Sequence, residues 1–273
     1  MSSEKLADIE SSLLLEAVYR RYGYDFRSYT FPGMQKRLEA FVQTEHLNSV
    51  SDMIPRLLHD NLFFNRLLSS LLVTVTDFFR DPDAYKSLKE NVMPALRTYP
   101  YINVWCAGCA TGEEAYSVAI MLKEAGLLGR SQIYATDINN KSLSVGKEGI
   151  YSLKRLGQNA DNYRLAGGAG DFSQYYTTKY NAFKMDKELR ERILFSRHNL
   201  VNDGAFAEMH LVFCRNVCIY FNEKLQTHVV RLFHKSLVRN GFLFMGESER
   251  IDYETSINLF ELIKSTSCVY KRQ

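Results

Sequence analysis

The stretch CAGCATGEEAYS, residues 106–117, decides how the rest of the chain is read. It follows a short apolar run at 101–105 and opens a helical pattern at 117–125. Strand, glycine-containing turn and helix, in that order, place backbone N–H groups and a helix N-terminus at the edge of a parallel sheet, where nucleotide-like ligands bind. No Lys-Ser/Thr pair follows the last glycine, so this is not a triphosphate loop. Glu113 and Glu114 stand where a pyrophosphate would lie, and two carboxylates would repel it. That disfavours a nicotinamide dinucleotide. A cationic nucleoside fits better, and S-adenosylmethionine is the expected occupant.

From the loop outward, strands and helices alternate. Apolar runs predict strands at 103–106, 132–136, 193–197, 211–214, 242–245 and 267–271. Amphipathic periodicity predicts helices at 114–125, 140–148 and 223–237, with a short one at 258–263. Continuous apolar strands separated by such helices argue for an α/β fold with a mostly parallel sheet. The rhythm breaks at 157–187, which reads as an insertion carrying a small antiparallel ribbon. Upstream, apolar residues recur at helical spacing from Lys5 to Leu72, punctuated by Gly23 and Pro32-Gly33, as in a small helical bundle. The expected domains are 1–81, helical, and 82–273, ligand-binding.

Three further segments carry candidate chemistry. The second strand, QIYATD, ends at Asp137, where a doubly wound sheet offers an acid to ribose hydroxyls; the structural alternative is a turn residue. In VTVTDFFRDP, residues 73–82, Arg80 follows Phe78 and Phe79 and is a candidate for gripping a carboxylate, against a structural ion pair. In LVFCRNVCIYFN, residues 211–222, Arg215, Asn216 and Tyr220 lie at the exit of a strand expected beside the first. Asn216 or Asn222 could instead cap a helix. Asn199, ending RILFSRHN, could contact an adenine edge or end its strand.

Composition narrows the class. A formal charge of +3 and 46% hydrophobic residues describe a globular chain with no general nucleic-acid affinity. No signal core or membrane-length apolar run is evident, so a cytoplasmic protein is expected. The five cysteines include a C-x2-C pair, Cys106 and Cys109, but they sit in or beside apolar runs and read as buried thiols rather than a metal site.

Together these segments resemble the chemotaxis-receptor glutamate O-methyltransferase (CheR) family. The shared motifs are TDFFR (76–80), the 106–117 loop, ATDI (135–138), FCRNVCIYF (213–221) and GFLFMGESE (241–249), with GYDF (23–26) similar to the start of the family's helical domain. The resemblance implies a Rossmann-like methyltransferase sheet, an N-terminal all-α domain and a small inserted β-subdomain. It implies S-adenosylmethionine as cofactor, S-adenosylhomocysteine as product, and glutamyl methyl esters on chemotaxis receptors as the outcome. By position, Thr74, Thr76, Arg80, Ala107, Gly108, Glu113, Asp137, Asn199, Leu200, Arg215 and Asn216 match cofactor-binding positions, and Arg80 and Tyr220 match the catalytic pair. Thr74 stands where the family often has Asn, Ala115 where it has Pro, and His210 where Asp is common. The implied partner is the receptor's cytoplasmic helical bundle, met by a helix that here keeps only Lys36 and Arg37 of an arginine-rich pattern, and by the 157–187 insertion. A monomer is expected. The alternatives are a methyltransferase for another acceptor and a cofactor-binding signalling module without turnover.

Overall fold

A computed structural model describes residues 3–74, 76–251, 258–263 and 268–273. The chain forms two compact units: Met1–Val73 with Ile219–His228, and Thr74–Cys218 with Val229–Gln273.

In the first unit, α1 (Ser3–Tyr22), α2 (Phe31–Thr44), α3 (Met53–His59) and α4 (Asn61–Leu71) pack around Leu14, Val18, Leu38, Met53, Phe63 and Leu67, all fully or almost fully buried. Asp60 starts α4 by accepting hydrogen bonds from the Leu62 and Phe63 amides at 2.8 and 3.1 Å, satisfying two N–H groups that the helix cannot. The Pro32-Gly33 break predicted from sequence is instead the first turn of α2, where proline's missing N–H costs nothing.

The second unit is built on β1 (Ile102–Ala107), β2 (Ser131–Asp137), β3 (Ile150–Ser152), β4 (Tyr176–Lys179), β5 (Ala182–Met185), β6 (Ile193–Arg197), β7 (Met209–Cys214), β8 (Leu237–Met245), β9 (Phe260–Leu262) and β10 (Val269–Arg272). Among the described residues seven of these form one sheet in the order β6-β2-β1-β7-β8-β10-β9. The first five run parallel, and β10 pairs antiparallel with both β8 and β9. β1 is buried at every position but Asn103, as its continuous apolar run requires. Its neighbours β2 and β7 diverge in chain order at this point, so the exit of β1 is the topological switch where such sheets bind ligands.

Helices α5 (Pro82–Asn91) and α6 (Met93–Leu96) precede β1; α7 (Glu113–Glu124) and α8 (Asn140–Glu148) join strands; α9 (Leu156–Leu165) lies within the insertion between β3 and β4, α10 (Lys187–Arg190) closes it, and α11 (Glu223–Ser236) follows β7. Every residue of α7 from Ala115 to Leu122 is buried, the mark of a helix packed on more than one side.

The insertion holds a three-stranded antiparallel sheet, β3-β5-β4, rather than a ribbon, and its first strand begins at Ile150, before the break in rhythm at 157. Tyr151, Tyr163, Phe172 and Phe183 fill its core. One expected helix is corrected. Residues 260–262 pair with β10 as strand β9, because an edge strand with one buried residue leaves no clear period in sequence. The expected strand at 267–271 is β10, with Ser267 outside the described residues. All five cysteines are buried, and none forms a disulfide among the described residues.

Candidate active site

Backbone geometry shapes the exit of β1 before any side chain does. Gly108 has φ +71°, and a Cβ there would lie 2.5 Å from Val217 Cγ2, so only glycine allows this turn beside the end of β7. The Gly108 and Cys109 amides both donate to the Thr136 carbonyl, at 2.8 and 2.9 Å, tying the loop to β2. Asp137, the last residue of β2, completes the tie. Its Oδ2 accepts from the Ala110 amide at 2.9 Å and its Oδ1 from the Asn139 amide at 2.8 Å. The Ile138 amide acts on this side chain too, and a carboxylate with about four acceptor directions still has capacity to spare. Burial pushes the Asp137 carboxyl above its ordinary range, against these hydrogen bonds.

Gly112, at φ +93°, brings in the N-terminus of α7, and Glu113 and Glu114 begin that helix. Thr111 Oγ1 donates to Glu113 Oε2 at 2.7 Å, and no cation pairs with this carboxylate among the described residues. Burial raises its pKa to about 7. A half-buried carboxylate with no ion-pair partner among the described residues fits an ammonium, and the spare acceptor capacity of Asp137 fits sugar hydroxyls. These residues therefore suit S-adenosylmethionine.

Beside this loop lies the segment before α5. Phe78 and Phe79 are buried, Phe78 edge-on to Tyr151 and Phe172, and Phe79 against Tyr85 and Tyr163. The two rings anchor the backbone in an aromatic core and leave Arg80 half-buried at the end. The Arg80 guanidinium makes no hydrogen bond or ion pair among the described residues. Asp77 pairs with Arg155 at 2.8 Å, and Thr74 and Thr76 are half-buried nearby in the chain.

Arg215, after β7, is the opposite case. Its side chain is 1% exposed. It donates to Asp81 Oδ2 at 2.7 Å and to the Arg80 carbonyl at 2.9 Å, and lies 3.5 Å from Glu114 Oε2. It also faces the Tyr85 and Phe244 rings, at 5.5 and 5.0 Å. Burial raises Glu114 to about 7, while Arg215 and Arg80 pull it down and Glu249 pushes it up.

Asn216 has φ +59° and is held there by Glu249, whose Oε2 accepts from the Asn216 amide at 2.6 Å and the Gly246 amide at 2.9 Å, and whose Oε1 accepts from the Val217 amide at 2.9 Å. Glu249 is 4% exposed and clamps the exits of β7 and β8 together. Asp81, Glu114 and Glu249 were not among the expected site residues. Glu249 does stand in the quoted GESE motif, the one signal that could have found it.

Asn199 and Leu200 follow β6 and are buried. The Asn199 Oδ1 accepts from the Val201 amide at 3.0 Å, closing a turn, so the strand-ending alternative holds whatever else the residue does. Tyr220 belongs to the helical unit, with Lys36 exposed and Arg37 half-buried on α2. Asn222 caps α11, its Oδ1 accepting from the Leu225 amide at 3.0 Å. Phe79, Asp81, Ala110 and Asn216 all have positive φ without being glycine, and strain of this kind concentrates at functional sites.

A mostly parallel sheet, a glycine turn after β1, an acid at the tip of β2 and an unpaired carboxylate opening α7 define a Rossmann-like nucleoside-binding α/β protein. Residues 74–269 match the family described as CheR methyltransferase, SAM binding domain, and residues 9–72 the one described as CheR methyltransferase, all-alpha domain. The chain belongs to the CheR methyltransferase family, and S-adenosylmethionine is its cofactor. It is 45% identical over 272 residues to a Pseudomonas putida protein called Cher3, a methyltransferase by name, with the whole of both chains covered. It is 29% identical to a chemotaxis protein methyltransferase of Listeria innocua, covering 95% of this chain and all of the relative. A solved structure described as StiE O-MT residues 961-1257 aligns with a TM-score of 0.37 at 15% identity, over 71% of this chain and 49% of that one. No helix among the described residues is long and apolar enough to cross a membrane.

Proposed function

We propose that this chain methylates glutamate side chains on the cytoplasmic helical bundle of a methyl-accepting chemotaxis receptor, giving glutamyl methyl esters. The observation that carries this is the Arg80 guanidinium, without a hydrogen-bond or ion-pair partner among the described residues at the end of a buried aromatic anchor, where an anionic acceptor would find a cation. The family assignment and the names of relatives such as the Listeria protein support a receptor as the acceptor.

S-adenosylmethionine, when bound, supplies an electrophilic methyl group on a cationic sulfur. Glu113 would hold its ammonium and Asp137 its ribose hydroxyls, with Asn199 and Leu200 at the adenine and Thr74, Thr76, Ala107, Gly108 and Asn216 lining the rest. The acceptor glutamate has a reference pKa of about 4.3 and is ionised at neutral pH, so no side chain has to remove a proton. The work left to the protein is positioning, which can contribute up to roughly 7–11 kcal/mol. Arg80 would hold one oxygen of the acceptor, and the Tyr220 hydroxyl would share that duty as a neutral donor. Arg215 would act at one remove, by fixing the Arg80 carbonyl.

Docking to the receptor would use the exposed Lys36 on α2 and the insertion at 157–187. Arg37 is already engaged within its own unit, and this thin basic face favours a second reading, transfer to another acceptor. The two separate on incubation with labelled cofactor and receptor-rich membranes. A base-labile label located on receptor glutamates by mass spectrometry supports methyl esterification, and a base-stable label or an unlabelled receptor rejects it.

A further inference from the structure

Tyr220 sits in a seat built by the helical unit. Its carbonyl accepts from the Thr30 amide at 2.8 Å, and two residues on the Asn222 amide donates to the Ser28 carbonyl at 2.9 Å. Between them Tyr29 and Phe221 form an isolated antiparallel bridge, their rings edge-to-face at 5.1 Å. These contacts fix the backbone of Tyr220, and none of them is made by its ring.

Arg37 supplies what is missing. Its guanidinium carbon lies 4.7 Å from the centroid of the Tyr220 ring, within the range of a cation–π contact. One of its N–H groups donates to the Leu71 carbonyl at 2.6 Å. Leu71 is the last residue of α4, so this carbonyl has no partner within its helix and stands at the negative end of the helix dipole. The guanidinium is thus pinned on one edge by the Leu71 carbonyl while its carbon lies over the ring. A lysine could keep the charge but would not combine a position over the ring with the directed N–H as the guanidinium does. Lys36, its neighbour on α2, is exposed and has no part in this seat.

We propose that Arg37 is a positioning residue for Tyr220, holding the ring so that the hydroxyl meets the acceptor carboxylate in one orientation. The inference rests on the reading of Tyr220 as a donor to that carboxylate, and it takes Arg37 out of the set that meets the receptor.

A double-mutant cycle tests it, using Arg37→Gln, Tyr220→Phe and the pair in the full chain, with kcat and KM measured on a receptor fragment and melting temperatures recorded. Tyr220→Phe is expected to lower kcat. Arg37→Gln is expected to lower kcat about three- to thirtyfold, the span of a cation–π contact, with the receptor KM unchanged. Added to Tyr220→Phe it should change kcat no further, and Arg37→Lys should recover only part of the loss. If Arg37→Gln melts below the assay temperature, Arg37→Lys replaces it in the cycle. A slow Tyr220→Phe with an undiminished Arg37 effect in the double variant overturns the proposal alone, as does an Arg37 variant that only raises the receptor KM. A Tyr220→Phe enzyme with wild-type kcat overturns the reading of Tyr220 itself.

Discussion

Arg80 and Arg215 lie in segments joined by a hydrogen bond from one guanidinium to the other residue's carbonyl, yet their surroundings are opposite. Arg215 is 1% exposed, paired with Asp81, close to Glu114 and enclosed by two aromatic rings. Arg80 is half-buried, and its side chain has no partner among the described residues. A buried arginine whose two terminal nitrogens are already engaged holds the frame, with only its Nε left without a partner among the described residues. An arginine held by its backbone but left unsatisfied at its tip is available to a ligand. The same residue type in adjoining segments thus takes two jobs, and burial decides which.

The largest expected effect breaks the buried member. Arg215→Gln leaves Asp81 without its cation and Glu114 with Arg80 alone, and removing one partner of a buried pair costs about 3 kcal/mol. The low end of the usual range applies because the Asp81 side chain is 36% exposed. Denaturant unfolding should show this loss, whereas Arg80→Ala should change stability by less than about 0.5 kcal/mol. Equal losses at the two positions would erase the distinction.

Next comes Glu249→Gln. It removes the charge that three backbone amides share, and should cost about 2 kcal/mol in the same unfolding measurement. Gly108→Ala should follow at about 1–2 kcal/mol, since it forces a Cβ into positive φ and onto Val217. Its cofactor affinity, read by calorimetry, should fall as well.

The smallest effect is in pH. Glu113 and Glu114 are raised from 4.5 to about 7, chiefly by burial, so between those values the folded free protein binds more protons than the unfolded chain. Stability of the free protein should therefore decline as pH rises from about 4.5 to 7. Cofactor affinity should run the other way, because an ammonium needs Glu113 ionised. Binding at pH 6 should be weaker than at pH 8 by up to about tenfold, and Glu113→Gln should flatten that dependence.

Much of this was legible in sequence where the signal is local. The strand at 193–197 and the helix at 140–148 were read with their observed limits, because an apolar run and a capped amphipathic period each declare themselves within a few residues. The loop at 106–114 was legible for the same reason. The frame around Arg80 was not. Asp81 meets Arg215 across 134 residues of chain, and Glu249 meets Asn216 across 33, separations that no periodicity encodes. The contact of Arg37 with the Tyr220 ring was not legible either, because a basic residue on a helix resembles a solvated face until the ring beside it is seen. The short strand at 260–262 was missed because its pairing with β10, not its own pattern, makes it a strand.

The central claim is that the Arg80 guanidinium holds the acceptor while other groups hold the donor. Single-turnover methyl transfer to a receptor fragment, measured beside calorimetric cofactor binding for Arg80→Ala, tests it most directly. The prediction is cofactor affinity within about tenfold of wild type and transfer slowed by far more. Equal losses in binding and transfer would mean that Arg80 only shapes the cofactor pocket.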